Sequence, residues 1–480
     1  MCDNMSMLTL YNSLSKKKEV FKPLHPGKAG LYTCGMTVYD FAHIGHGRRY
    51  VGDDILRRTL ARFGYEVTHV QNVTDVGHLS SDSDEGDDKM EKGAQKAGKN
   101  VWEVAEYYTK HFYDSMDLLN ILRPHVVCRA TDHITEQIDL IAKIVDKGYG
   151  YETPEAVYFD VSKFPNYDKL FGQKLADKRI AVREEVETGS HKRHAADFVL
   201  WFKRVGRFAG HVMYWASPWG DGFPGWHIEC SAMSMRYIGD TIDIHTGGID
   251  HLSVHHPNEI AQSEAATGKQ FVRYWVHHAF LIVDGKKMSK SLGNIYTVED
   301  VKKKGFDSLA LRYFYLTAHY RKPLNFTWEA LSAAQRALGQ LRSCISGAGR
   351  TTLSREKLEN VDNFRRKFDT ALEDDLNTPN ALAVVWEVVK SSIPPADKRD
   401  LILDFDDVLG LGVGQQPREH KTKVTRDIQD LLAKRVQLRK ENKFEEADSI
   451  RKAIEDKGFV VEDSPKGTTV SAGAQHRLRS

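Results

Sequence analysis

The chain has 480 residues, which is too long for one hydrophobic core, so about two to four domains are expected. Hydrophobic residues make up 41% of it and charged residues 28%, which is typical of a soluble globular protein, and no stretch approaches the roughly 18 apolar residues of a membrane span. The net charge of +2 neither requires nor excludes nucleic acid, because a local basic surface binds phosphate on a nearly neutral protein.

The first 73 residues predict the start of a parallel sheet. Residues 5–35 are typical of short strands and turns. Apolar residues at helical spacing then predict a helix that opens at Gly47 and ends at Gly64, and residues 65–73 predict a strand. Strand, helix and strand in this order indicate a βαβ unit, and therefore an α/β fold with a right-handed crossover.

Chemically active side chains are concentrated where that first strand passes into the helix. Cys34 follows the strand, and His43 and His46 precede the helix. Ligands of α/β proteins bind at such strand ends, and a helix N-terminus attracts phosphate. Two imidazoles there can donate hydrogen bonds to a phosphate, and Gly45 allows close approach. A His-x-x-His segment alone is explained by a metal pair or a helix cap about as well as by phosphate binding.

The middle of the chain, roughly residues 75–225, predicts an insertion between two halves of the sheet. Residues 77–88 form an acidic loop rich in serine and glycine, for which a solvated, flexible surface loop is expected. Residues 89–122 have a helical pattern, and residues 125–215 mix helices and strands.

A second chemically active region follows the insertion. Residues 215–231 contain two turns and then a helical stretch, 241–245 alternates like a strand, and 255–265 predicts a helix start. His255 and Glu259 lie at positions i and i+4, so they share one face of that helix. Imidazole and carboxylate are both zinc ligands, but a histidine or glutamate near a helix start is more often a cap or a solvent-facing side chain.

The cysteines are few and scattered, which argues for a reducing cytosol and against a disulfide framework. They are Cys2, Cys34, Cys128, Cys230 and Cys344. Because no Cys-x-x-Cys pair occurs, any metal site must combine distant segments. The N-terminus contains no basic segment followed by an apolar core, so a cytoplasmic protein is expected.

A strand predicted over residues 280–283 precedes a loop with two lysines and two serines in five residues, 287–291. Ammonium and hydroxyl groups at this density suit a triphosphate, although such a loop alone is also an ordinary basic surface turn. The segment 43–46 at a helix start and the loop 287–291 after a strand follow each other in this order along the chain. Together they resemble the two signature motifs of class I aminoacyl-tRNA synthetases.

From about residue 300 the chain is predicted to be helical. Helices are expected at 306–319, 327–348, 355–374, 378–393, 397–410 and, as a charged pair, within 425–457. A polar, turn-rich linker separates that pair from the other helices. Residues 459–462 predict a short strand, and 464–480 a disordered tail.

The whole chain resembles the cysteinyl-tRNA synthetases. The residues that carry the resemblance are 34–35, 37–40, 43–46, 217–220, 225–231, Gly247, Gly248, Asp250, His255, His256, Asn258, Glu259 and 287–291. The resemblance implies a Rossmann-like parallel-sheet catalytic domain with an insertion lobe, an α-helical anticodon-binding bundle and a small C-terminal module. The implied bounds are 1–300, 301–412, a linker at 413–423, 424–470, and a disordered tail at 471–480.

The resemblance also implies the site. In that family one zinc ion per chain is held by the residues that match Cys34, Cys230, His255 and Glu259. The substrate cysteine would contact Thr74, Trp226 and His245. ATP would contact His43, Gly45, His46, Gly248, Asp250, Lys287, Ser289 and Lys290. Of these, His43, His46, Lys287 and Lys290 are expected to stabilise the transition state.

The implied reaction is the ATP-dependent attachment of L-cysteine to tRNA-Cys through a cysteinyl-adenylate, with Mg²⁺ accompanying ATP. Cysteine and serine differ by one atom, which shape alone discriminates poorly, whereas a metal readily takes a thiolate. A monomer is expected, with a dimer as the alternative.

Two other functions fit parts of the sequence. A cysteine–amino-sugar ligase of the mycothiol type would share the motifs up to Ser291 but would not need the helical residues after 300. A non-catalytic RNA-binding paralogue would have no reason to keep both phosphate-binding motifs and a complete ligand set.

Overall fold

The structure is a computed structural model of the full chain. It describes residues 7–76, 79, 88–170, 191–289, 292–345, 355–414, 426–441, 443–456, 459–464 and 467–472. Most of the acidic loop, Lys290, Ser291, most of the linker and residues 473–480 lie outside the described residues. No helix among the described residues is long and apolar enough to span a bilayer.

The described residues form sixteen strands and fourteen α-helices. The strands are β1 (Thr9–Asn12), β2 (Lys17–Val20), β3 (Lys28–Thr33), β4 (Glu66–Val73), β5 (Val126–Arg129), β6 (Gly150–Glu152), β7 (Ala156–Phe159), β8 (Phe198–Lys203), β9 (Gly222–Pro224), β10 (Ile242–Gly248), β11 (Val272–His278), β12 (Leu281–Val283), β13 (Lys286–Lys287), β14 (Leu324–Phe326), β15 (Phe459–Ser464) and β16 (Gly467–Ala472). The helices are α1 (Ile44–Arg62), α2 (Lys89–Ala97), α3 (Val101–Leu118), α4 (Ile134–Asp146), α5 (Trp226–Tyr237), α6 (His255–Thr267), α7 (Val298–Lys303), α8 (Ser308–Leu316), α9 (Trp328–Ile345), α10 (Arg355–Glu373), α11 (Thr378–Lys390), α12 (Pro395–Leu409), α13 (Arg426–Lys440) and α14 (Phe444–Asp456).

A five-stranded, fully parallel sheet in the order β11-β10-β3-β4-β5 forms the centre of the first half of the chain. Leu31 of β3 pairs with His69 of β4 on one side and with Ile244 of β10 on the other. The α/β fold predicted from the sequence is therefore confirmed. From β3 the chain adds β4 and β5 on one side, and later adds β10 and β11 on the other side. A topological switch point therefore lies between β3 and β10, and such folds bind ligands at this point.

The region predicted as one insertion has two structural parts. Val126–Arg129 lies in the parallel sheet, because it pairs with the end of β4. Strands β6 to β9 instead form a separate four-stranded antiparallel sheet, which begins at Gly150 and ends at Pro224. The antiparallel lobe therefore starts well after residue 75, and the division into domains otherwise stays a prediction.

Helix α1 begins at Ile44, three residues before the expected opening at Gly47. The side chain of His43 caps it and accepts hydrogen bonds from the first backbone N–H groups, which allows the helix to start earlier. Its apolar stripe, which includes Val51 and Leu60, is buried as the spacing predicts.

The helices predicted from residue 306 onward match those of the described residues to within a few residues, whereas α7 (Val298–Lys303) was not predicted. A second difference lies at the end of the chain. Gly467–Ala472 pairs antiparallel with Phe459–Ser464, for example Val470 with Val461, and is a strand. The prediction of disorder was therefore wrong for residues 467–472, because cross-strand pairing stabilises a polar segment whose own hydrophobic pattern is weak.

Arg312 of α8 joins helix α1 to the helical region. Its guanidinium is fully buried and donates to Asp54 Oδ2 at 2.6 Å, to the carbonyl oxygen of Leu409 at 2.6 Å and to that of Leu119 at 2.9 Å. Asp54 also accepts from Arg58 at 2.8 Å. The guanidinium thus holds α1, the end of α3 and the end of α12 in one arrangement.

Replacing Arg312 by leucine is expected to lower the free energy of unfolding by about 3 kcal/mol, because Asp54 stays buried with one of its two counter-charges removed. Urea denaturation followed by circular dichroism measures this loss. Arg123→Leu is the matched control, since its ion pair with Asp117 is about half exposed and is expected to contribute less than about 1 kcal/mol. Equal losses in the two variants would contradict the prediction.

Candidate functional site

The candidate site lies at the carboxyl ends of the two central strands. Cys34 follows β3, and Gly247 and Gly248 end β10. A Cβ atom at Gly247 would lie 2.5 Å from the ring of His256, so only glycine allows helix α6 to approach the strand end this closely.

Four buried side chains from three distant segments meet there. Cys34 Sγ lies 3.9 Å from Cys230 Sγ and 3.9 Å from Glu259 Oε1, and His255 Nε2 lies 2.8 Å from Glu259 Oε1. One nitrogen, sulfur or oxygen atom from each lies within 4.8 Å of the others, and each residue is at most 2% exposed. The structure thus brings together the predicted ligand set, which we call the four-residue cluster.

The charges in this cluster follow from burial and close pairing. Burial alone would raise the pKa of Glu259, but His245 and His255 hold it at about 2. Burial alone would lower the pKa of His255, but the Glu259 carboxylate raises it to about 10. Burial raises the pKa of both thiols, that of Cys230 furthest. A divalent cation would therefore displace protons from the thiols and the imidazole on binding.

Several more histidines surround the cluster, and sequence reasoning did not assign them to it. His256 Nε2 lies 3.5 Å from Cys34 Sγ, and His245 Nε2 lies 2.8 Å from Glu259 Oε2. Cys34, His245, His256 and Glu259 form a second group whose atoms meet the same 4.8 Å limit. Two features of the sequence could have indicated these contacts: the adjacent histidines His255 and His256 at the start of α6, and His245 inside a buried strand.

The three residues predicted to contact the amino-acid substrate lie around this cluster. The Trp226 ring stacks on His255 with centroids 4.5 Å apart and an angle of 26°. Thr74 is buried, and its hydroxyl accepts from Asn72 Nδ2 at 3.1 Å. His245 is fully buried against Glu259, a position that supports the cluster.

Glu229 is a further buried carboxyl at the site that sequence reasoning missed. It is fully buried one residue before Cys230. Burial raises its pKa well above its usual range, and the neighbouring Thr74 hydroxyl lowers the pKa by less. The site therefore holds a carboxyl group beside Thr74 that is harder to ionise than an exposed glutamate.

His43 and His46 cap the start of α1 reciprocally. Nδ1 of His43 accepts from the backbone N–H groups of Gly45 at 3.1 Å and His46 at 3.3 Å, and Nδ1 of His46 accepts from the backbone N–H of His43 at 3.2 Å. Their rings stack 3.7 Å apart. Burial, with the neighbouring His43 and Arg49, holds the pKa of His46 well below its usual value. In neutral rings with Nδ1 accepting, Nε2 carries the proton and is a hydrogen-bond donor.

The loop after β12 contacts this helix start. A Cβ atom at Gly45 would lie 2.4 Å from Met288 Cε, and the backbone N–H of Ile44 donates to the carbonyl oxygen of Tyr296 at 2.8 Å. Lys287 is exposed on β13, and the N–H of Ser289 donates to Asn294 Oδ1 at 2.9 Å. The structure therefore brings the two predicted phosphate-binding segments together, while Lys290 lies outside the described residues.

Gly248 and Asp250 lie at the open end of β10. A Cβ atom at Gly248 would lie 2.1 Å from Asp250 Oδ1, so the carboxylate folds back over the glycine backbone. The Asp250 side chain is 59% exposed and can hydrogen-bond a ligand entering between β3 and β10.

Comparison with known proteins finds matching domains and relatives. Residues 20–336 match the tRNA synthetases class I (C) catalytic domain, residues 367–392 match the DALR domain, and residues 422–470 match the cysteinyl-tRNA ligase anticodon binding domain. The chain is 46% identical over 464 residues to cysteine–tRNA ligase 1 of Burkholderia lata, which covers 96% of both chains. It is 43% identical over 490 residues to cysteine–tRNA ligase of Treponema denticola, which covers 96% of this chain and 99% of the relative.

Among solved structures, methionyl-tRNA synthetase of Mycobacterium tuberculosis with methionyl-adenylate matches with a TM-score of 0.54. The match covers 80% of this chain and 90% of that chain at 17% identity. At this level of identity the structural similarity is evidence for the fold alone, which is the Rossmann-like fold of class I synthetases.

Proposed function

We propose that this chain, which belongs to the cysteinyl-tRNA synthetase family, activates L-cysteine with ATP and transfers it to tRNA-Cys. It is a class I cysteine–tRNA ligase. The proposal extends that assignment to the adenylate intermediate, the metal and the residues that act. The four-residue cluster, Cys34, Cys230, His255 and Glu259, is the observation that carries it.

The cluster has the donor chemistry of a zinc site. Two thiols, one imidazole and one carboxylate are the ligand types that zinc accepts, and zinc sites in proteins commonly have four such ligands. Glu259 is already ionised, and its second oxygen accepts from His245, as outer partners of metal ligands do. Bound zinc would supply a coordination position that favours a thiolate over the hydroxyl of serine.

Trp226 and Thr74 are proposed to form the walls of the cysteine pocket. The stacked Trp226 and His255 rings leave little freedom for either side chain. Because burial raises the pKa of Glu229 beside Thr74, this carboxyl group would repel the substrate carboxylate less than an exposed glutamate would. These residues would orient that carboxylate toward the start of α1.

In the first step, a carboxylate oxygen of cysteine would attack the α-phosphate of ATP, and the bond from that phosphorus to pyrophosphate would break. With Nδ1 of each ring accepting at the helix start, the Nε2–H groups of His43 and His46 are proposed to donate hydrogen bonds to the phosphate oxygens as these gain negative charge. Lys287 and Lys290 would neutralise the leaving pyrophosphate together with Mg²⁺ bound to ATP.

In the second step, the terminal ribose hydroxyl of tRNA would attack the activated carbonyl carbon and release AMP. The anticodon-binding domain match over 422–470 and the DALR match over 367–392 support tRNA as the acceptor rather than an amino sugar. The assembled cluster and the paired phosphate-binding segments disfavour a non-catalytic paralogue. The oligomeric state and the cytoplasmic location stay predictions.

The test of this function is a pair of assays on the purified, zinc-loaded chain. Cysteine-dependent exchange between ATP and labelled pyrophosphate is expected, followed by charging of tRNA-Cys. Serine in place of cysteine, at the same concentration, is the control and is expected to give no exchange above background. Exchange without charging would favour the amino-sugar ligase, and no exchange with cysteine would contradict both enzymes.

A further inference from the structure

A line of three hydrogen bonds runs from the N-terminal hairpin to one ligand of the cluster. Ser13 Oγ lies 2.8 Å from His277 Nδ1, His277 Nε2 lies 2.7 Å from His256 Nδ1, and His256 Nε2 lies 3.5 Å from Cys34 Sγ. All four side chains are buried, and none of the first three belongs to the four-residue cluster. We call these residues the histidine line.

Separate elements hold each member of the line in place. The backbone N–H of Ser13 donates to the carbonyl oxygen of Trp275 at 2.9 Å, which attaches the end of β1 to β11. His277 is on β11, and His256 is in the first turn of α6, 4.6 Å from the Trp275 ring. The contacts therefore depend on the tertiary fold rather than on neighbours in sequence.

Once Cys34 is a thiolate, the hydrogen bonds of the histidine line have one possible order of donors and acceptors. A thiolate accepts hydrogen bonds and cannot donate, so His256 must carry its proton on Nε2. With its Nε2–H directed to the sulfur, His256 accepts at Nδ1 from His277 Nε2–H across the 2.7 Å contact, and His277 Nδ1 then accepts from the Ser13 hydroxyl across the 2.8 Å contact.

We propose that His256 is a positioning residue that donates a hydrogen bond to the Cys34 thiolate, and that His277 and Ser13 fix its orientation. The inference rests on the proposed zinc site, because only a bound metal makes Cys34 a permanent thiolate in so buried a place. The donated hydrogen bond draws charge from the sulfur, and it holds the side chain in the rotamer that faces the cluster.

One alternative arrangement is built into the same geometry. His256 also belongs to the second group of potential ligands, with Cys34, His245 and Glu259. His251 Nδ1 lies 3.4 Å from His256 Nε2 and can share its proton. With a metal held by the four-residue cluster, His256 Nε2 stays 3.5 Å from Cys34 Sγ and takes the donor role, and variants of His256 distinguish the two arrangements.

The test uses the full-length chain loaded with Co²⁺ in place of Zn²⁺, since the charge-transfer band between thiolate sulfur and Co²⁺ reports the electron density on the sulfur. His256→Leu removes the donor, and His256→Gln retains an amide N–H near the position of Nε2. In His256→Leu the band is expected to move to lower energy, and the affinity for Zn²⁺, measured by chelator competition, is expected to fall about 10- to 100-fold. His256→Gln is expected to recover most of both.

His277→Leu tests the line at a residue that touches no ligand of the four-residue cluster. It is expected to shift the band in the same direction by a smaller amount, with His277→Gln closer to the unmodified chain, and Ser13→Ala is expected to have the smallest effect. Thermal unfolding of each apo-variant identifies a general loss of structure, which would weaken metal binding without the graded shift of the band.

Each remaining outcome decides against the inference. An unmoved band in His256→Leu and His277→Leu would overturn it while leaving the zinc site in place. A coordination spectrum of Co²⁺ that changes equally in His256→Leu and His256→Gln would show His256 to be a ligand, and would also overturn it. If the unmodified chain bound no Co²⁺ or Zn²⁺, the proposed zinc site itself would fail.

Discussion

Cys230→Ser is expected to reduce the zinc content from one ion per chain to nearly none, and to raise the KM for cysteine in pyrophosphate exchange by at least about 100-fold. A serine hydroxyl stays protonated near neutral pH and is a poor zinc ligand, whereas a thiol ionises readily against the metal. Since loss of an outer partner alone typically costs 10- to 100-fold in affinity, loss of a direct ligand is expected to cost at least as much.

The measurement is elemental analysis of the purified variant together with the exchange assay. Cys128→Ser is the matched control, because Cys128 is equally buried but directs its sulfur to the carbonyl oxygen of Gln71, 3.6 Å away, and is in neither potential ligand group. It is expected to retain zinc and cysteine affinity. Unchanged zinc stoichiometry in Cys230→Ser would contradict the proposed site.

His46→Asn is expected to lower the rate of pyrophosphate exchange about 100- to 1,000-fold while leaving the helix intact. The side-chain oxygen of asparagine occupies the position of Nδ1 and can accept the hydrogen bond from the backbone of His43. No donor then remains at the position of Nε2. The variant therefore separates the capping role of this side chain from its proposed role at the α-phosphate.

Two variants of His43 provide the control for this separation. His43→Asn retains an acceptor at the cap, whereas His43→Ala removes both the acceptor and the Nε2 donor. Equal losses of exchange are expected, with an additional loss of about 1 kcal/mol in the free energy of unfolding for alanine only. If the exchange rate of His46→Asn stayed within about threefold of the unmodified rate, the histidines would serve only as helix caps. A change that small is well below the effect of one lost hydrogen-bond donor.

Local patterns were sufficient wherever neighbours in sequence decide the structure. The helix after His46 and the strand over 65–73 follow from hydrophobic spacing, and both were found. His43 and His46 also show a limit of such patterns. The sequence left open whether they cap a helix or bind phosphate, and the structure shows that Nδ1 of each serves the cap, so that in a neutral ring Nε2 carries the proton.

The site itself depends on contacts that local patterns do not report. The sequence contains His245 and His256 but does not indicate that they contact Glu259 and Cys34. These contacts form because β10 pairs with β3 and because α6 lies at the ends of these strands. Likewise β16 forms because β15 pairs with it, and Arg312 is buried because the middle of α1 and the ends of α3 and α12 meet around it.

The sequence by itself therefore determined the α/β class, the order of the elements and, through the family resemblance, which side chains to examine. Spacing alone could not assemble Cys34, Cys230, His255 and Glu259, because they lie up to 225 residues apart in the chain and their closeness depends on the sheet order. Only the tertiary structure decided which groups are buried and which are charged. It alone brought His256 next to Cys34. Burial and long-range pairing set those properties, and both arise after the chain has folded.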